Sequence, residues 1–299
     1  MVSFAHNSSR DALNPFASIS PSQVRVRIHR RPVSVTQMDL SDLIGHTFGP
    51  HSLRVCVENV ADLVRVTGDD LERWQSAAPP AFLAAALFVV APDLLGQVAD
   101  RSVIHGEQIF SWDRPLAMES QLAISGTVSK VRERGGVSFV GFDLEVSDDS
   151  GPVAGGSSLF LISGESAVAT SVERPEPEPD DQGSPGSGQV AMSRADLVKY
   201  AAATRDWNPI HWDHDAAVEA GLPRVVVHGL AQASWALAAA ARLRAGDRPL
   251  ASARIRFRNP LLAAVPVRVD AEEIEGIARV AVIDGDTEYL SARIQLAEE

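Results

Sequence analysis

The sequence of 299 residues holds one cysteine, two lysines and two tyrosines. A single thiol, Cys56, excludes an internal disulfide framework and a cysteine-based zinc site. The two lysines, Lys130 and Lys199, stand against 25 arginines, and alanine and valine are abundant. That usage is typical of a high-GC bacterial gene. Positive charge is scarce overall: 27 Lys+Arg against 39 Asp+Glu give a formal net charge of −12. Such a balance argues against a general binder of nucleic acid or anionic membrane, because both need a basic face. Long apolar runs are also missing. The strongest, Phe82–Val90, is soon followed by Pro92 and Asp93, well short of the roughly 20 residues of a membrane span. Together these absences suit a cytoplasmic protein. A hydrophobic fraction of 45% and a charged fraction of 22% are ordinary for a globular chain. At roughly 100–200 residues per domain, the length suits two domains or one large one.

Charge is unevenly spread. Residues 1–37 carry Arg10, Arg25, Arg27, Arg30 and Arg31 against Asp11 alone, a head of +4 on a body of −16. It lacks a hydrophobic pattern and reads as a disordered head, or as a start assigned too early with Met38 as the working start, in preference to an organelle transit peptide. Residues 172–188 are rich in proline, glycine and acidic side chains. They cannot bury a core and read as a linker. The expected organisation is therefore a head (1–37), a first domain (38–171), the linker (172–188) and a second domain (189–299).

The two domains share an outline. Each opens with Ala-Asp-Leu-Val in a helix-like segment, at 61–64 and 195–198. A Thr-x-Asp follows, at Thr67–Asp69 and Thr204–Asp206, and then an alanine-rich apolar helix, near Ala81–Val90 and Leu230–Leu243. Alternating strand patterns come next: Leu122, Ile124 and Val128; Val140, Phe142, Leu144 and Val146; Val265, Val267 and Val269; Leu290, Ala292, Ile294 and Leu296. Alternation broken by short turns predicts antiparallel hairpins. The fold class is α+β, with an internal duplication of one helix wrapped by a sheet.

The chemistry concentrates between Tyr200 and Ser234. Asp206-Trp207-Asn208-Pro209-Ile210-His211 joins a carboxylate to an imidazole through a turn that Pro209 suits. Histidine is the usual proton carrier near neutral pH, and a carboxylate can orient it or share the work. Further on, His228-Gly229-Leu230 starts the second apolar helix, so the Gly229 N–H is an unbonded donor available to a developing oxyanion. A proton-transfer pair beside an oxyanion donor suits proton abstraction next to a carbonyl.

Tyr200–Ser234 resembles the signature of MaoC-like dehydratases and (R)-specific enoyl-CoA hydratases, a hot-dog-fold family. In the first domain, Ala78-Pro79-Pro80-Ala81-Phe82, His105-Gly106-Glu107-Gln108 and Arg114-Pro115-Leu116 resemble the N-terminal MaoC-like domain of mycobacterial (3R)-hydroxyacyl-thioester dehydratases. The resemblance implies a double hot-dog fold with one working site. It implies that Asp206 and His211 are the catalytic pair, Gly229 the oxyanion donor, Asn208 part of the catalytic turn and Ser234 a supporting residue. The implied reaction is hydration of trans-2-enoyl thioesters or dehydration of (3R)-3-hydroxyacyl thioesters, without a metal or redox cofactor. The implied partner is an acyl thioester of CoA or acyl-carrier protein, on a monomeric pseudo-dimer or a homodimer. Alternatives are a hydratase for a branched or dicarboxylic enoyl-CoA such as mesaconyl-CoA, a thioesterase, or a non-catalytic acyl-thioester-binding subunit.

The first domain departs from the pattern, since Trp74 follows Asp69 where His211 follows Asp206. Tryptophan cannot transfer a proton, so this half is expected to enclose the acyl chain instead, with His105 in a structural role. An anionic carrier on an acidic protein needs local positive charge. Arg254, Arg256 and Arg258 alternate along a strand and, with Arg224, are candidates for the carrier's phosphates.

Overall fold

The computed structural model describes residues 39–99, 101–164 and 186–298. The basic head and most of the proline-rich stretch lie outside them, as does the expected boundary at residue 171. The first half runs through β1 (Thr47–Arg54), α1 (Val57–Thr67), α2 (Leu83–Gly96), β2 (Ser102–Trp112), β3 (Gln121–Arg134), β4 (Val137–Asp148) and β5 (Gly151–Ser163). The second half runs through β6 (Gln189–Val190), α3 (Arg194–Thr204), α4 (His214–Glu219), α5 (Gly229–Ala241), β7 (Leu250–Phe257), β8 (Val267–Ile274), β9 (Ile277–Asp284) and β10 (Thr287–Leu296).

Each half is one apolar helix held by an antiparallel sheet, the double hot-dog architecture. Helices α2 and α5 are apolar on nearly every side, the pattern of a helix buried all round. Their alanines let the strands approach closely. Pro80–Phe82 forms a single 3-10 turn that leads directly into α2, so the helix begins two residues later than the apolar run suggests. The duplicated Thr-x-Asp ends the preceding helix in the same way in both halves. Thr67 and Thr204 each donate to the carbonyl four residues back, at 2.8 Å. Gly68 and Arg205 then take left-handed conformations, at φ 70° and 67°. Helix α3 starts on a capping box, in which Ser193 and Asp196 satisfy each other's backbone N–H groups. Pro115-Leu116 and Pro260-Leu261 stand at corresponding places in the two halves, each followed by a bridge, Ala77–Ala117 in the first half and Val226–Leu262 in the second.

The strands make one ten-stranded sheet in the order β1-β3-β4-β5-β2-β7-β10-β9-β8-β6. Its seam is the antiparallel pairing of β2 with β7, from Glu107 opposite Arg256 to Ser111 opposite Ser252. Alternation puts Ala253 and Ile255 in the core and Arg254 and Arg256 on the outer face. Both arginines donate from Nε to the same Oε2 of Glu107, each at 3.0 Å. Two of the expected phosphate contacts are therefore committed to an ion-pair clamp across the seam. Partial burial raises the Glu107 carboxyl, but hydrogen bonds from Arg254 and Arg256 outweigh it and hold the group below its ordinary range. A lowered carboxyl pKa stabilises the fold above the unfolded value and loses that effect as pH falls. Glu107→Gln should thus lower the melting temperature at pH 7, by an amount set by about 1–2 kcal/mol. The deficit should shrink below about pH 4, and an equal deficit at both pH values would show that the clamp contributes nothing as a charge pair.

Candidate active site

The site is built where α3 ends and α5 begins. The left-handed residue Arg205 turns the chain so that Asp206 points inward, where it is 7% exposed. Asn208 and Pro209 then set a single 3-10 turn over Pro209–His211, which returns the chain and buries His211 to 7% exposure. Pro209 costs nothing at the first position of such a turn, where no N–H is needed. The Asn208 side chain is exposed and caps this turn by accepting from the Ile210 N–H at 3.4 Å. Asn208 therefore shapes the turn, while its backbone N–H reaches Asp206 Oδ1 at 3.4 Å.

His211 is fixed by its Nδ1, 2.8 Å from the Val226 carbonyl oxygen. A carbonyl can only accept, so Nδ1 carries the hydrogen and Nε2 is bare when the ring is neutral. Burial lowers the His211 pKa to about 4, against the opposing hydrogen bond to Val226. Burial raises the Asp206 carboxyl to about 7, opposed by its bond to the Asn208 backbone. The same desolvation thus drives both groups toward their neutral forms. Near neutral pH the site holds an uncharged base beside an acid that is half ready to release its proton.

His228 lies under this pair and is fully buried. Its ring stacks on His211, with centroids 3.8 Å apart and planes 25° from parallel. Its Nε2 stands 3.2 Å from the backbone oxygen of Asp206 and donates to it. His228 is also the residue before Gly229, so it ties the Asp206 turn to the start of α5. Burial first, then repulsion from His211, holds it well below an ordinary histidine. Two stacked imidazolium rings would repel strongly, so the stack keeps the pair neutral. Asp206, His211 and His228 are the cluster whose ligand atoms lie within 4.8 Å of one another among the described residues. Nearly parallel rings aim their in-plane lone pairs along nearly parallel lines, an arrangement ill suited to a shared ion.

Gly229 opens α5, and its N–H has no carbonyl within the helix to meet. A side chain there would press on the Phe257 ring, with an added Cβ 3.0 Å from two of its carbons. Glycine thus lets β7 close against the helix start while leaving the N–H usable. Ser234 sits one turn further along, buried, and donates to the Leu230 carbonyl at 2.8 Å. Three polar atoms in this region are buried without a hydrogen-bond partner: Tyr200 Oη, His228 Nδ1 and Gln232 Oε1. Such a group of unsatisfied atoms calls for a polar guest. His105 packs between Phe160 and Phe257, 4.9 Å from each ring centroid, and bonds Gln108 at 3.1 Å. Its position is a wall of aromatic packing.

The first half has the matching loop and different chemistry. Trp74 is fully buried, and its indole N–H donates to Asp69 Oδ2 at 2.9 Å. Arg242 approaches the other oxygen of Asp69 at 3.6 Å. The tryptophan fills the place that His211 takes in the second half and occupies the carboxylate.

Of the arginines, Arg224 is half-buried two residues before Val226. Arg258 lies just past β7 and pairs with Glu288 at 3.3 Å and Ser291 at 3.1 Å. His228, Tyr200 and Gln232 were not singled out from the sequence as site residues. The one signal for His228 was its place beside Gly229.

The family described as the MaoC like domain matches residues 178–293. Among characterised proteins, the chain is 25% identical over 252 residues to peroxisomal multifunctional enzyme type 2 of Drosophila melanogaster, covering 78% of this chain and 41% of that protein. It therefore spans less than half the length of that relative. It is also 25% identical over 213 residues to 3-hydroxyacyl-thioester dehydratase X of Mycobacterium tuberculosis, covering 68% of this chain and 72% of the relative. The crystal structure of HtdX from Mycobacterium tuberculosis superposes with a TM-score of 0.66 at 22% identity, over 84% of this chain and 100% of that one. A second protein of that organism, described as having a double hotdog fold, superposes with a TM-score of 0.56 at 13% identity, over 86% and 97%.

Proposed function

We propose that the chain is an enzyme of the MaoC-like dehydratase type, the family that its residues 178–293 match, and that it adds water to trans-2-enoyl thioesters and removes it from (3R)-3-hydroxyacyl thioesters. The observation that supports this most directly is the pairing of Asp206 with His211. Both are buried, and their pKa values are displaced in opposite directions.

In this reading the thioester carbonyl faces the start of α5, and the Gly229 N–H takes up charge as the oxygen becomes an enolate. The bare Nε2 of His211 accepts a proton from water as the water oxygen bonds to C3. The neutral Asp206 carboxyl gives its proton to C2. The His211 imidazolium and Asp206 carboxylate left behind cancel by returning one proton. The reverse sequence expels water from the 3-hydroxyacyl thioester. His228 keeps His211 neutral and holds the Asp206 turn against the oxyanion donor. The first half, with Trp74 on Asp69, adds no second proton-transfer site and encloses the acyl chain. The thioester handle is CoA or acyl-carrier protein.

The test is a panel of enoyl-CoAs of differing length and branching, followed by loss of the enoyl-thioester absorbance with chiral analysis of the product and a free-thiol assay in parallel. Formation of the (3R)-hydroxyacyl thioester without thiol release is the expected result. Stoichiometric release of free CoA would instead make the protein a thioesterase and end this reading.

A further inference from the structure

The outer face of the second half carries a feature that the proposed reaction does not use. Strand register places Arg254 of β7 opposite Arg293 of β10, and Arg293 opposite Arg279 of β9. Three arginines thus stand in one row across three strands, on the face turned away from α5. Like charges set directly opposite one another destabilise a sheet. In the next row, Arg256 is followed by two small residues, Ser291 and Ala281. The long side chains beside the short ones leave a cleft of about 550 Å³, within the range of small-molecule sites.

The charges in and around the cleft pair off unevenly. Arg254 and Arg256 are held by Glu107, Arg258 by Glu288 and Arg268 by Asp270. Glu272 lies opposite Arg279 in register, yet the two are not within ion-pair distance. Among the described residues, the side chains of Arg279 and Arg293 make no hydrogen bond or ion pair. On a protein of net charge −12, these six arginines stand against four carboxylates, Glu107, Glu288, Asp270 and Glu272, which leaves a local excess of two positive charges with the Arg279 and Arg293 guanidinium groups unpaired. Each is planar and can bind an oxyanion with two parallel hydrogen bonds.

We propose that this cleft binds a phosphate monoester carried on a group of nucleotide size, gripped by Arg279 and Arg293. A dianion matches the excess charge and relieves the repulsion along the row. The remaining space beside Ser291 and Ala281 receives the organic group. Two sources share this chemistry: the 3′-phosphate of CoA, and a free nucleotide or other phosphate monoester.

The probe is adenosine 3′,5′-bisphosphate, titrated calorimetrically into the whole protein, with inorganic phosphate as a second arm. Saturable binding is expected, weakened at least tenfold by Arg279→Gln and again by Arg293→Gln, while Arg132→Gln on β3 binds within twofold of the parent. Both cleft variants remove a like charge, so their melting temperatures should hold or rise, which separates lost binding from lost folding. Displacement of the probe by CoA but not by 3′-dephospho-CoA assigns the site to CoA. Displacement by neither, with competition from inorganic phosphate, assigns it to a free phosphate monoester. Absence of saturable binding to the parent, or variants that bind within twofold of it, overturns the proposal. The readout is binding and not turnover, so its failure leaves the hydratase reading standing, and a failed hydration assay leaves this site standing.

Discussion

Asp206→Asn and His211→Ala should each lower kcat for crotonyl-CoA hydration by about 10³-fold, within the 10²–10⁴-fold range typical of a positioned acid or base. Asparagine keeps the shape and the backbone contact from Asn208 but cannot donate a proton to carbon. Alanine removes the Nε2 acceptor that the Val226 carbonyl fixes in place. The two residues serve one proton inventory, so the double variant should be little worse than either single one. The Michaelis constant should change far less than kcat, because neither group is asked to hold the acyl chain. The native pH profile follows from the same values. Activity needs Asp206 protonated and His211 neutral, so it should fall as pH rises through about 7 and again as it drops through about 4. The limbs belong to the pair and not to either residue alone. Steady-state rates within tenfold of the native enzyme in either variant would end the assignment.

The same aspartate should be a liability for stability at high pH. Burial raises it from an ordinary value of 3.8 to about 7. Between those values the folded protein keeps a proton that the unfolded chain has lost. The stabilisation from protonated Asp206 is complete below about pH 4 and disappears as pH passes 7. Asparagine has no charge to bury. Asp206→Asn should therefore match the native protein near pH 4 and exceed it at pH 8, by an amount of order 2–4 kcal/mol. Thermal melts at the two pH values read this directly. A constant difference between them would mean that the Asp206 side chain is as well solvated in the folded state as in the unfolded one. An inactive variant that is more stable than its parent is the expected signature of a strained active site.

Much of this was legible in the sequence because it is local. The Asp-x-Asn-Pro-x-His spacing encodes its own turn: Pro209 fits the start of the 3-10 turn, Asn208 caps it, and the five-residue interval returns His211 toward Asp206. The duplication was legible because the helix ends repeat with their threonine back-bonds, and the difference between the halves because Trp74 stands five residues after Asp69 where His211 stands five after Asp206. The features that the sequence does not show depend on distant partners. Alternation placed Arg254 and Arg256 on one face of a strand, but a strand's neighbour is set by packing, and nothing local says that Glu107, about 150 residues earlier in the chain, lies across from them. His228 stood in view beside Gly229, yet its stacking on His211 arises only when α5 docks beside the Pro209 turn. The late start of α2 has a simpler cause, since Pro79 and Pro80 favour a tight turn over a full helical one.

The pairing of β2 with β7 also fixes how the two halves respond to dilution. Two separate chains meeting along such a seam would associate by mass action and come apart at low concentration. Here the partners are tethered, and the second half meets the first at a constant effective concentration. The ratio of the half bearing Asp206 and His211 to the half bearing Trp74 is held at one to one in every molecule. Neither half can pair with a copy of itself along that edge without giving up its covalent neighbour. On the proposed reading, the Trp74 loop need not carry a proton-transfer pair, since each molecule keeps Asp206 and His211 whatever that loop becomes.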